Sequence, residues 1–278
     1  NELELIAIAK GLADAGHGFI EMVSDWDEPS PEEEFKMFRR VVEASGRPMV
    51  FTCNQRHDGR GTFWKDLMTY AREARDDGHI LRPVVAPRPI GVMLGLNGSQ
   101  NPFSGTPTYR SIEHLPLDQR VKAMSQSDIR AKILSEDPVK QSTFPLIHRI
   151  LFTQMFRLGS PANYTPSPEE SISAMAENLG VTPQEMAYVI LLENQGRGFI
   201  YAPLVNYANY TMDACAEMLD DTYSIMGLGD GGAHVGFILD AGYPTWLISY
   251  WNRTQKRYSV EETVRRLTSD TAKAVGLF

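Results

Sequence analysis

Cysteine is nearly absent: the chain has two in 278 residues, Cys53 and Cys215, far apart and forming no CxxC pair. That excludes a disulfide-stapled fold and a structural zinc knuckle, and it fits a reducing, cytoplasmic compartment. Long apolar runs are missing too, and none approaches the roughly 18 residues a membrane span requires. No membrane partner is expected. Basic residues are outnumbered, 27 Lys and Arg against 35 Asp and Glu for a formal net charge of −8. That balance argues against nucleic-acid binding through backbone attraction. Internal repeats and low-complexity segments are also lacking. What remains is an ordinary globular composition, 42% hydrophobic and 22% charged, able to bury a large core. Small molecules are the expected partners.

What is present is a rhythm of helix and strand. Residues 2–15 carry apolar positions at helical spacing and stop at Gly16, and residues 18–24 are β-capable. Ser30-Pro31-Glu32-Glu33 is an N-cap with proline at the first helical position, so a helix should run to about Ser45, where Gly46 ends it. Residues 48–54 then give a second strand, residues 62–77 a helix, and residues 79–86 a third strand. Alternation of this kind implies parallel strands joined by right-handed crossovers. From Gly91 to about Asn209 the rhythm breaks into a Pro- and Gly-rich stretch. It carries helical pieces at 116–124, 127–134, 168–179 and 183–194 and a strand candidate at 198–204. A long helical insertion acting as a lid is expected, because such insertions ride on loops at the carboxyl ends of strands. A helix at about 211–220 precedes a last strand at 223–228, and three helical segments follow.

That last strand opens into Gly227-Leu-Gly-Asp-Gly-Gly-Ala-His-Val-Gly236. Gly227, Gly229 and Gly232 match GxGxxG, but a dinucleotide site also wants an acid about 20 residues on, and Trp246–Asn252 offers none. The other reading is a metal site. An Asp at a strand end, flanked by glycines that admit a sharp turn and close approach of substrate, can bind a divalent cation and pass a proton from water. Asp230 fits that role, and His234 is near enough in sequence to share its surroundings. On spacing alone Asp230 reads equally well as a helix cap, with His234 paired to a backbone carbonyl.

The runs Gly229-Asp230-Gly-Gly-Ala-His234-Val, Ala241-Gly-Tyr-Pro-Thr-Trp-Leu247 and Ser259-Val-Glu-Glu-Thr through Ala274-Val-Gly-Leu277 together resemble the last third of a known family. It is the N-acyl-D-amino-acid deacylase branch of the amidohydrolase superfamily. Val84-Val-Ala-Pro-Arg-Pro-Ile90 is similar to the branch's seventh-strand segment, and Leu115-Pro-Leu-Asp-Gln-Arg120 to its variable insertion. The resemblance implies an α/β fold, a partial (β/α)8 TIM barrel made of the C-terminal strands, with residues 91–209 inserted before the last one. It also implies that Asp230 is both a metal ligand and the general acid/base. A divalent metal, zinc by the family's habit, would activate water to cleave the amide C–N bond of a small N-acylated amino acid or related amide.

Departures from the pattern are specific. The family's His-x-His pair belongs to the first barrel strand, ahead of anything in this chain, and the histidines expected at strands five and six are missing from residues 21–25 and 51–55. A single ion held by that pair and Asp230 is the arrangement implied. The alternative is a catalytically inactive barrel serving as a binding or scaffold protein. The chain opens directly into a helical pattern and stops on Phe278, which reads as a piece of a larger fold that requires the rest of its polypeptide.

Arg88, fixed between two prolines, could clamp a substrate carboxylate, and Gln55 and His234 could supply polar contacts in the barrel mouth. Cys53 is a soft ligand type, although a small buried thiol is the commoner state. His57 reads as a solvated loop residue. His17, His79, His114 and His148 lack partners at ligand spacing, and the acidic run from Asp25 to Glu28 reads as a solvated loop.

Overall fold

A computed structural model of the chain describes residues 1–23, 30–57, 61–137, 150–229, 236–238 and 241–277. The chain divides into two compact units: residues 1–89, 205–229 and 240–278 form the first, and residues 90–204 with 230–239 form the second.

The first unit begins with α1 (Glu2–Ala15), β1 (Ile20–Met22), α2 (Pro31–Ser45), β2 (Met49–Thr52), α3 (Phe63–Asp76) and β3 (Leu81–Val85). The helix ends follow the punctuation of the sequence. Ser30 Oγ accepts the Glu32 N–H at 3.3 Å, Pro31 opens α2, and Gly46 closes it at φ 59, a conformation a side chain resists. α2 buries Phe35, Phe38, Val41 and Val42 along one stripe, and α3 buries Trp64, Leu67, Met68 and Ala71. Phe35 meets Phe51 of β2 edge-on at 5.6 Å. Burial of each such ring contributes roughly 2 kcal/mol.

The second unit holds β4 (Ile90–Gly95), α4 (Pro107–Ile112), α5 (Leu117–Met124), α6 (Ser127–Ser135), β5 (Phe156–Arg157), α7 (Ile172–Leu179), α8 (Pro183–Gly196) and most of β6 (Phe199–Val205). Thr182 and Glu185 form a reciprocal capping box at the start of α8. The buried Tyr188 hydroxyl donates to Met124 O at 2.8 Å, tying α8 to the end of α5. Besides its helices this unit carries a three-stranded sheet in the order β4-β6-β5, with β5 antiparallel to β6. The helical segment expected from the sequence therefore contains two strands it did not announce. The reason is visible at Gly91 and Gly95, which read as loop glycines. A Cβ would fall 2.6 Å from the Tyr201 ring at the first and 2.5 Å from the Phe199 ring at the second. They are strand residues kept bare for close approach.

Back in the first unit, the chain forms α9 (Asp213–Asp220), β7 (Ile225–Met226), α10 (Tyr243–Trp246), a π-helical stretch Leu247–Thr254, α11 (Val260–Leu267) and α12 (Ser269–Ala274). Four strands make one parallel sheet in the order β1-β2-β3-β7, with Met49 beside Ile20 and Leu81, and Val84 beside Ile225. Its two faces are covered unequally. Met49, Phe51, Leu81 and Val85 join the large core built with α2 and α3. Val50, Val84 and Ile225 meet only a small cluster completed by Ala274, with Phe19 and Leu228 partly buried against it. The fold is thus mixed α/β around a parallel sheet.

Candidate active site

Parallel sheets of this type bind ligands at the carboxyl ends of their strands, so the loops leaving β2, β3 and β7 are where chemistry is sought. β2 runs into Cys53-Asn54-Gln55, β3 into Ala86-Pro87-Arg88, and β7 into Gly227-Leu228. All belong to the first unit.

One residue that the sequence did not single out ties two of these loops together. Asn206, fully buried, donates from Nδ2 to Asn54 Oδ1 and to Ala86 O, both at 3.0 Å. Its Oδ1 accepts the Gln55 N–H at 2.8 Å, and its own N–H donates to Gln55 O at 2.7 Å. Its φ of 61 lies in the left-handed region, which asparagine tolerates better than most side chains. Cys215 adds a weak bond from Sγ to the same Ala86 O at 3.2 Å. The signal in the sequence was Asn206-Tyr-Ala-Asn209-Tyr, an asparagine-rich turn after a strand, but local pattern alone cannot say that an amide will be buried.

Gln55 is half-buried, and its Oε1 accepts the Ala208 N–H at 3.2 Å, so its carbonyl is engaged in holding that turn. Arg88 is 3% exposed, which removes it from the outer surface, and its Nε donates to Pro89 O at 3.3 Å. The residue before it is pinned by Trp251, whose Nε1 donates to Pro87 O at 2.5 Å. Gly227 packs so tightly on β3 that a Cβ would stand 2.6 Å from Val84 Cγ1. Leu228 follows at φ 64, an uncommon conformation for a branched side chain, and such strain collects at functional turns. Asp230 and His234, the residues assigned to the metal and to substrate, lie outside the described residues, as do His148 and the acidic run. Downstream, Gly236 and Phe237 accept backbone N–H bonds from Ser99 and Met93 within the second unit.

Cys53 is fully buried, with Sγ 3.9 Å from Trp64 O and 3.7 Å from Met218 Sδ, and burial pushes its thiol up to about 12. Its sulfur is enclosed by these groups, and among the described residues no set of His, Asp or Glu side chains gathers around it to share an ion. His57 departs from expectation, since both ring nitrogens are buried rather than solvated. His79 lies 3.5 Å from Glu43, while His17 and His114 are exposed. Among the described residues no group of three or more His, Cys, Asp or Glu side chains could hold a metal ion.

No protein-family model matches the chain, and no curated protein matches it. The solved structures it resembles in fold are N-acyl-D-amino-acid deacylases of the amidohydrolase class. One is N-acyl-D-glutamate deacylase from Bordetella bronchiseptica, complexed with zinc and a phosphonate mimic of the tetrahedral intermediate. The likeness to it has a TM-score of 0.50 at 12% identity, covering 99% of this chain and 45% of that one. D-aminoacylase, described with a binuclear metal centre, follows at a TM-score of 0.48 and 14% identity over the same shares. The present chain thus spans under half the length of the structures it matches, and the likeness is one of fold.

Proposed function

We propose that these residues are the C-terminal strands of an amidohydrolase (β/α)8 barrel that hydrolyses the amide C–N bond of a small N-acylated amino acid in the cytoplasm. The observation that carries this reading is the strand-end arrangement. Asn206 locks the loops after β2 and β3 into one rim, and β7 leads through Gly227 and the strained Leu228 toward Asp230. Residues 91–209 are then an insertion ahead of the last strand.

The unequal faces of the sheet support the barrel. Val50, Val84 and Ile225 belong to a small cluster on one side while the other side joins the large core, and four strands cannot close into a barrel alone. Leu3 and Ile8 on α1, and Val23 at the end of the edge strand β1, stand exposed. The rest of a longer polypeptide is the natural cover for them.

In this reading Asp230 takes a proton from the attacking water as its oxygen bonds to the acyl carbon, and returns it to the amine nitrogen as the C–N bond breaks. Arg88 receives the substrate carboxylate; Gln55, through its Nε2, and His234 orient the acyl group. The fold relatives call for a divalent cation, zinc among them. The described residues of this chain do not fit one, since no group of His, Cys, Asp or Glu side chains gathers among them and Cys53 is enclosed between Trp64 and Met218. Ligation by Asp230 therefore remains a proposal, and no step above depends on it.

The test is amine release from N-acetyl amino acids of both hands by the full-length protein, with its metal content measured in parallel. Hydrolysis by a metal-loaded protein supports the proposal. A folded protein that carries no metal and hydrolyses none of them is a binding or scaffold barrel instead.

A further inference from the structure

At the amino ends of β3 and β7, the far side of the first unit's sheet from the loops described above, lies a cavity of about 160 Å³. Arg82, Arg265, Arg266 and Lys273 line it, against a single carboxylate, Asp270. Four cations gathered in a chain of net charge −8 need a physical reason.

Arg266 has one. It is 8% exposed, forks onto Glu262 Oε1 from Nε at 3.0 Å and Nη2 at 2.8 Å, donates to Leu219 O at 2.6 Å, and lies 4.4 Å above the Tyr258 ring. The other three have donors to give. Arg265 stands 3.6 Å from Asp270 and 3.8 Å from Glu262, beyond hydrogen-bond reach of either. Lys273 is exposed and forms no ion pair among the described residues. Arg82 makes one long bond, from Nη1 to Tyr223 O at 3.4 Å, and rests 4.5 Å from the Tyr223 ring.

We propose that this cavity binds a phosphate-type oxyanion, held by Arg82, Arg265 and Lys273. The three cations come from separate elements, β3, α11 and α12, and converge on a space of about 160 Å³. At ~30 Å³ per water that admits a tetrahedral oxyanion with a few waters. Their mutual repulsion, offset in part by Asp270 and Glu262 beside Arg265, falls further when an anion sits between them. Guanidinium and ammonium groups around a compact, highly charged oxyanion form the strongest class of hydrogen bond available to side chains. The Thr222 hydroxyl, exposed at the rim, adds a neutral donor, whereas Ser224 Oγ already donates within the fold. This site is independent of the amide chemistry proposed above.

The experiment is calorimetric titration of the full-length protein with inorganic phosphate at constant ionic strength set by chloride, with the Tm followed alongside. Phosphate is expected to bind and raise the Tm. Lys273→Gln and Arg265→Gln should each weaken binding roughly tenfold, and Lys10→Gln should leave it unchanged. Lys273 forms no ion pair among the described residues, so Lys273→Gln should keep the wild-type Tm in chloride. A phosphate monoester binding more tightly than the free ion identifies an esterified ligand, and equal affinities identify the ion itself; both support the site. Phosphate behaving like chloride, or undiminished binding by Lys273→Gln and Arg265→Gln, overturns it.

Discussion

Asn206 donates a side-chain hydrogen bond of 3.0 Å from Nδ2 to Asn54 Oδ1 across 152 residues of sequence, at a point where two parallel strands end. Removing the amide leaves Asn54 Oδ1, Ala86 O and the Gln55 N–H short of a partner in a buried place, and puts a less tolerant residue at positive φ. Asn206→Ala should therefore lower stability by about 3 kcal/mol or more, read from the urea midpoint. A loss under ~1 kcal/mol shows that the rim is held by other contacts.

The two thiols carry a pH prediction. Burial raises Cys53 to about 12 and raises Cys215 as well, while the unfolded thiols titrate near 9.0. Below pH 9 both states hold their protons and stability is at its full value. Above it the unfolded chain loses protons that the folded chain keeps, so stability falls toward pH 12 by up to roughly 1.4 kcal/mol per pH unit for each thiol. A thiol reagent at pH 8 should leave the native protein unmodified and label both cysteines in urea. Prompt labelling of the native state contradicts the enclosure of Cys53.

Gly198 tests the second unit alone. An added Cβ would lie 1.8 Å from Ile190 O, a backbone atom of α8 that cannot step aside. Gly198→Ala should destabilise by more than about 3 kcal/mol or abolish folding of that unit, measured by circular dichroism on denaturation. Tolerance of alanine means that β6 meets α8 differently.

The parts of this fold visible in the sequence were those written locally. Ser30-Pro31 and Gly46 bracket α2, and the runs around Met49 and Leu81 are apolar on both faces, as strands of a parallel sheet are. β4 was hidden because Gly91 and Gly95 carry no pattern until the rings of Tyr201 and Phe199 are known to lie over them. The rim was hidden for a similar reason. Asn206 and Trp251 act through contacts more than a hundred residues away in sequence, Asn206 on Asn54 and Trp251 on Pro87, which no periodicity encodes. Arg88 was singled out for its two prolines; its burial became visible only with the fold.

The central claim rests on the carboxylate that follows Leu228. Asp230→Asn preserves shape and removes the proton acceptor, so amine release from the best N-acyl amino acid should fall by at least about a hundredfold while the urea midpoint stays at its wild-type value. Turnover equal to wild type in that variant contradicts the assignment of Asp230 as the catalytic acid/base and leaves it a capping residue of the turn.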